Sequence, residues 1–169
     1  EAPEVRVAGK PAPPGAGADA QRRTAAVQLE VVKYRQLGAA VKARRGKVIV
    51  VEVWANYCLP CKREFPNLVK LHRRYAKDGL VCMSVTVDKL ESKDGALAFL
   101  KASGATFPHF LLDEDPAVWQ HRWHVKGVPV VFVFDREGKR AARFDADSGK
   151  GFICADVEKA VAGLIDPGR

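Results

Sequence analysis

The chain has 169 residues, 47% of them hydrophobic and 28% charged, which is enough to bury one ordinary globular core and argues against a disordered or fibrous chain. Twenty-eight Lys and Arg against 20 Asp and Glu give a formal net charge of +8, a balance that suits an acidic protein, an anionic membrane surface or nucleic acid and selects none of them. Four cysteines are too few for a disulfide-stapled miniature fold, so their spacing carries the information: two residues separate Cys58 from Cys61, while Cys82 and Cys154 stand alone.

Residues 1–26 open with a Pro-, Ala- and Gly-rich run without an apolar period, and are expected to be a flexible tether ahead of one domain spanning 27–169. The chain starts at Glu1 without an initiator Met or a basic-then-apolar leader, which fits export after loss of a signal or membrane anchor. No window approaches the roughly eighteen apolar residues of a membrane span. Val27 to Lys33 alternates and predicts a strand, and the spacing of Leu37, Ala40 and Val41 predicts a helix from Tyr34 to Arg45, stopped by Gly46. Lys47 to Ala55 is nearly all apolar, the pattern of a strand covered on both faces and hence of a parallel or mixed sheet between helices. A helix follows from Pro60 to Lys77, with Phe65, Leu68, Val69, His72 and Tyr75 on one face and mostly Lys and Arg elsewhere. Gly79 to Val87 reads as a second buried strand, and the stretch around Asp94 to Ser103 as a crossover helix ended by Gly104. His109 to Asp113 is a short extended piece and Pro116 to Trp123 a short helix. Pro129 to Asp135 and Arg140 to Asp145 form a hairpin, and a helix from Cys154 to Ile165 closes the domain.

The chemistry lies at Cys58-Leu59-Pro60-Cys61. The motif falls where a buried strand passes into a helix, and Pro60 suits the first helical turn because its missing N–H would be unpaired there anyway. Helix N-terminal N–H groups, the helix dipole and the adjacent Lys62 and Arg63 all favour a thiolate, which lowers the thiol pKa below the ordinary value of about 8.5. Cys58 is therefore the expected nucleophile, and Cys61, one turn deeper, the thiol that resolves the mixed disulfide. The same spacing also serves zinc knuckles, but neither Cys82 nor His72 offers the second pair of ligands such a site needs. Cys82 and Cys154 are expected to pack as small apolar groups, and His72 and His124 to be structural or surface residues. Trp119 and Trp123, at helical spacing, are expected in the core rather than along a binding groove.

The segment from Val50 to Pro66, VVEVWANYCLPCKREFP, together with Gly127-Val128-Pro129 ahead of a hairpin, resembles the thioredoxin-like superfamily, and within it the bacterial extracytoplasmic TlpA/ResA-like proteins. The resemblance covers about residues 27–165 and implies an α/β thioredoxin fold: a central mixed sheet flanked by helices, in one domain with an N-terminal extension. It implies that Pro129 is a cis-proline facing the cysteines, and that the backbone of Val128 pairs with an extended substrate segment. Tyr57, Leu59 and Pro60 complete the expected substrate surface together with Trp54, which is expected to pack under the motif. Glu52 falls where thioredoxins keep a buried acid, and an acid in so apolar a strand has the raised pKa that a proton acceptor for Cys61 needs. Tyr57 stands where the family commonly has Trp, Val130 where it has Thr, and Leu59-Pro60 where reducing thioredoxins have Gly-Pro; that dipeptide helps set redox poise.

The expected function is thiol-disulfide exchange with cysteine pairs of other exported proteins, in the reducing direction. The protein would be a monomer in the cell envelope, with no dissociable cofactor, no metal and no nucleic acid, supplied by an upstream thiol-disulfide electron donor and tethered to a membrane through a removed N-terminal segment. Two alternatives use the same fold. A thiol peroxidase would need a Thr and an Arg placed about its cysteine, and Asn56 and Tyr57 do not supply that pattern. A non-enzymatic binding module would draw on the basic surface and the tether.

Overall fold

The structure, a computed structural model, describes residues 27–145 and 154–166; the expected tether lies outside the described residues. Among the described residues six strands form: β1 (Leu29–Val32), β2 (Val48–Trp54), β3 (Leu80–Thr86), β4 (His109–Leu112), β5 (Val130–Phe134) and β6 (Arg140–Asp145), of which β2 and β5 are the richest in β-branched residues. They make one sheet in the order β1-β4-β3-β2-β5-β6. Parallel pairing joins β1 to β4, β4 to β3 and β3 to β2, whereas β5 runs antiparallel to both β2 and β6. The sheet is thus mixed, as expected for a β2 whose seven residues are all buried.

Among the described residues five helices cover it: α1 (Tyr34–Lys42), α2 (Leu59–Tyr75), α3 (Lys93–Ser103), α4 (Pro116–Trp123) and α5 (Cys154–Ile165). One core, under α2, α3 and α5, gathers Trp54, Cys61, Phe65, Leu68, Leu100 and Val161; the other, under α1 and α4, gathers Leu37, Ile49, Val51, Val85, Trp119 and Phe132. β2 separates the two and alternates between them, Val50 and Trp54 to the first, Val51 and Val53 to the second.

α2 begins at Leu59, one residue before the predicted start, and stops at Tyr75 because Ala76–Asp78 tightens into a 3₁₀ turn closed by Gly79 at φ 97°. Its buried face is wider than the periodicity indicated: Leu71 is buried too, because α5 packs on α2 beside the sheet. α1 is also shorter than predicted, ending at Lys42, and β1 narrows to four residues at the sheet edge. Lys33, just beyond β1, reaches across to Asp113 after β4, with Nζ 2.8 Å from Oδ2.

Candidate active site

Chain direction places the cysteines at the C-terminal end of β2. Cys58 is the N-cap of α2, with φ −87° and ψ 101°, and its Sγ accepts the Cys61 backbone N–H at 3.3 Å. Pro60 occupies the first turn and has no N–H to give, so Cys61 supplies the donor the sulfur receives. The two cysteines are joined in a disulfide with an S–S distance of 2.09 Å. Access separates them: Cys58 keeps 7% of its surface exposed, Cys61 none. An incoming thiolate or disulfide therefore meets Cys58 first.

The Val128–Pro129 bond is cis, and the Val128 carbonyl oxygen lies 3.8 Å from Cys58 Sγ. Val128 is half-buried and Pro129 buried, on the connection into β5. Tyr57 and Leu59 flank Cys58 and are 75% and 60% exposed, with Pro60 exposed next to them. Apolar side chains so placed offer a contact surface to a polypeptide. Trp54 is withdrawn from that surface. It has no exposed area, packing instead against Phe65 and Phe99 at centroid distances of 5.5 and 5.0 Å, so it supports the motif from beneath and cannot touch a substrate.

The turn between β2 and α2 is held by a residue that sequence reasoning missed. Buried Asp88, beyond β3, accepts the Asn56 backbone N–H at 2.7 Å and the Thr86 hydroxyl on the same carboxylate oxygen. Val87 N–H to Trp54 C=O at 2.9 Å and Cys58 N–H to Ala55 C=O at 3.0 Å complete the tie. The available signal was an acid directly after an apolar strand, where burial demands a partner.

Glu52 stands in the middle of β2, opposite Ser84 of β3 and Val131 of β5. It is buried, and burial first, with the charge of Glu64 second, pushes its carboxyl up to about 8. A cavity of about 20 Å³, room for one water, adjoins it and is lined also by Glu64, Asn67 and Cys154. The other two cysteines are disfavoured as thiolates. Burial and the nearby Glu52 push the Cys82 thiol up, and burial followed by the charges of Glu64, Glu158 and Glu52 does the same to Cys154. Both are free, and high thiol pKa values suit packing rather than exchange.

His72 is half-buried edge-on to Phe107, His124 is exposed at the end of α4, and Trp119 is buried in the core. Among the described residues no three His, Cys, Asp or Glu side chains are grouped so as to hold a metal.

A family model, the AhpC/TSA family, matches residues 23–142. The chain belongs to the AhpC/TSA family. Over 148 residues it is 31% identical to the thiol:disulfide interchange protein HelX of Rhodobacter capsulatus, covering 87% of this chain and 80% of that one. It is 33% identical over 95 residues to the thiol-disulfide oxidoreductase ResA of Bacillus subtilis, where the match takes in 56% of this chain and 51% of the relative, about half its length. Among solved structures, a Chlorobium tepidum thiol:disulfide interchange protein DsbE superposes with a TM-score of 0.59 at 28% identity, covering 74% of this chain and 84% of that one. The fold is the thioredoxin fold, as the resemblance implied, and thiol-disulfide exchange at a Cys-x-x-Cys pair is the chemistry these relatives share with the geometry above. Neither the peroxidase nor the non-enzymatic alternative is favoured by them.

Proposed function

We propose that the protein is a protein-disulfide reductase of the cell envelope, in which Cys58 attacks a client disulfide, Cys61 resolves it, and an upstream dithiol carrier restores the pair. The observation that carries this reading is the division of labour between a sulfur at the surface and a wholly buried partner at the head of one helix. In the reducing direction the Cys58 thiolate bonds to one client sulfur and expels the other as a thiolate. Cys61, deprotonated, then attacks Cys58 Sγ, releasing the reduced client and leaving the Cys58–Cys61 disulfide. Glu52 is the proposed acceptor of the Cys61 proton.

The exchange itself is supported by the donor at Cys58: the Cys61 N–H reaches its sulfur at the head of α2, where the helix N-terminus favours the thiolate that attacks a client disulfide. Val128 and Pro129, with Tyr57, Leu59 and Pro60, are the proposed client surface: the Val128 backbone pairs with an extended segment and the exposed side chains contact its flanks. The chemistry requires no dissociable cofactor. The proposed working form is a monomer that acts on exported proteins with no part for nucleic acid.

Reduction of insulin disulfides by dithiothreitol tests the exchange. Cys58→Ser is expected to abolish turnover, and Cys61→Ser to accumulate a mixed disulfide visible on a non-reducing gel; full turnover in both would end the proposal. Equilibration with glutathione tests direction, and a potential more negative than about −200 mV is expected.

A further inference from the structure

The face of the sheet away from Cys61 carries an apolar trough that the dithiol chemistry does not use. Between α1 and the β5–β6 hairpin, Tyr34, Leu37, Val41, Trp123, Phe132 and Phe134 border an open volume of about 240 Å³. Apolar walls around an open groove are the common form of a ligand site.

Its rim is cationic. The Arg122 guanidinium lies 4.7 Å from the centroid of the Tyr34 ring and that of Arg140 lies 6.0 Å from Phe132. Lys42 lines the trough, and the Arg45 side chain packs against Gly138, another lining residue. All four cations are exposed; the exposed acid of the adjoining turn is Glu137. The loops that carry these groups are tied together, Gly46 and Arg136 exchanging hydrogen bonds of 2.8 and 3.0 Å, so the charge is held beside the apolar walls.

Charge decides among the occupants. Residues 1–26, with four basic against three acidic side chains, bring no excess of negative charge, and a second copy facing the trough with the same rim would set like charges together, so neither complements it. An anionic amphiphile complements both parts of it. We propose that the trough binds an anionic phospholipid of a membrane surface, with an acyl segment between Tyr34 and Phe134 and phosphate at Lys42, Arg45 and Arg140. The rim groups of α1 and of the β5–β6 turn lie at the end of the sheet where β2 begins and β5 finishes, opposite the end that bears Cys58. Docking there leaves the dithiol facing solution.

The test is co-sedimentation of the full chain with phosphatidylcholine vesicles, with and without a quarter phosphatidylglycerol. The wild type should bind the charged vesicles alone and release at high salt. Lys42→Glu, Arg45→Glu and Arg140→Glu combined should weaken that binding by about a hundredfold or more. Gly38→Leu probes the apolar half. Gly38 lines the trough within α1, and a Cβ there meets nothing within 4 Å, so the larger side chain should fill the trough, keep insulin reduction unchanged and weaken vesicle binding about fivefold or more. Equal binding to both vesicle types, or wild-type binding by either variant, overturns the proposal. Tighter binding of an oligonucleotide or an acidic peptide than of the charged vesicles overturns it as well.

Discussion

Glu52 connects the chemistry to the stability of the chain. Its carboxyl, raised to about 8 by burial, keeps its proton in the folded state across a pH range where the unfolded chain, with an ordinary carboxyl near 4.5, has already released it. Between those values the folded state binds more protons than the unfolded, so this group makes stability fall as pH rises from about 4.5 to about 8, by on the order of 5 kcal/mol in all. Glu52→Gln should remove that decline, and urea titration of the oxidised protein at pH 5 and pH 8.5 checks it. The same proton links to turnover. In its proposed role as acceptor for Cys61, Glu52 must be ionised, so insulin reduction should climb between pH 7 and pH 8.5 in the wild type, whereas Glu52→Gln should be at least about tenfold slower at pH 7 with a shallower profile. A glutamine that matched the wild type in both measurements would leave Glu52 a purely structural acid.

At the scale of elements, the junction between β2 and α2 decides where Cys58 sits. Asp88 holds that junction by accepting two donors on one carboxylate oxygen, and deleting it strands the Asn56 N–H and the Thr86 hydroxyl. Asp88→Ala should cost about 2–4 kcal/mol in urea unfolding, and Asp88→Asn less, because its amide oxygen can still accept the Asn56 N–H. Beneath the same junction Phe65 packs on Trp54, Phe99 and Phe107 at centroid distances of 5.5, 5.2 and 6.1 Å. Phe65→Ala should destabilise by about 3–5 kcal/mol, since the rings around it cannot all collapse into the space left; a loss below about 1 kcal/mol would show that they can. The central strands β2, β3 and β5 were readable because each apolar run is continuous between breakers, and β6 because it follows β5 across a Gly-containing turn. Leu71 and Asp88 were not, because the burial of one depends on α5 and the role of the other on a backbone N–H from a different strand end.

The whole molecule has a pH response that no single element shows. His109, buried beside Ser84 with Nδ1 2.8 Å from Oγ, is pushed down to about 4 by burial, so the unfolded chain takes up its proton near 6.5 while the folded chain does not. Its contribution to stability is full above pH 6.5 and is lost as pH falls toward 4, opposite in sign to that of Glu52. Together the two groups should leave stability nearly level from about pH 4.5 to 6.5 and falling from 6.5 to 8. In Glu52→Gln the profile should instead rise from pH 4 to 6.5 and then flatten, which thermal melting across that range will show. The acid and the histidine occupy strands of one sheet, β2 and β4, with β3 between them.

What the sequence determined by itself was everything set by short-range pattern. The two-residue spacing of Cys58 and Cys61, the strand-to-helix change around them and the Val128-Pro129 pair ahead of a hairpin are all local, and they made the chemistry readable. The tertiary structure alone decided what depends on which elements become neighbours. It left Cys58 a small exposed surface and Cys61 none, packed Trp54 against Phe65 and Phe99, and set Glu52 opposite Ser84 of β3 and Val131 of β5. It also brought α1 against the β5–β6 hairpin to form a trough with a cationic rim, so that the +8 charge, uninformative as a sum, acquired a location. The reason is physical: burial and electrostatics act through distance in space, and strands far apart in the chain contribute to both as strongly as adjacent ones.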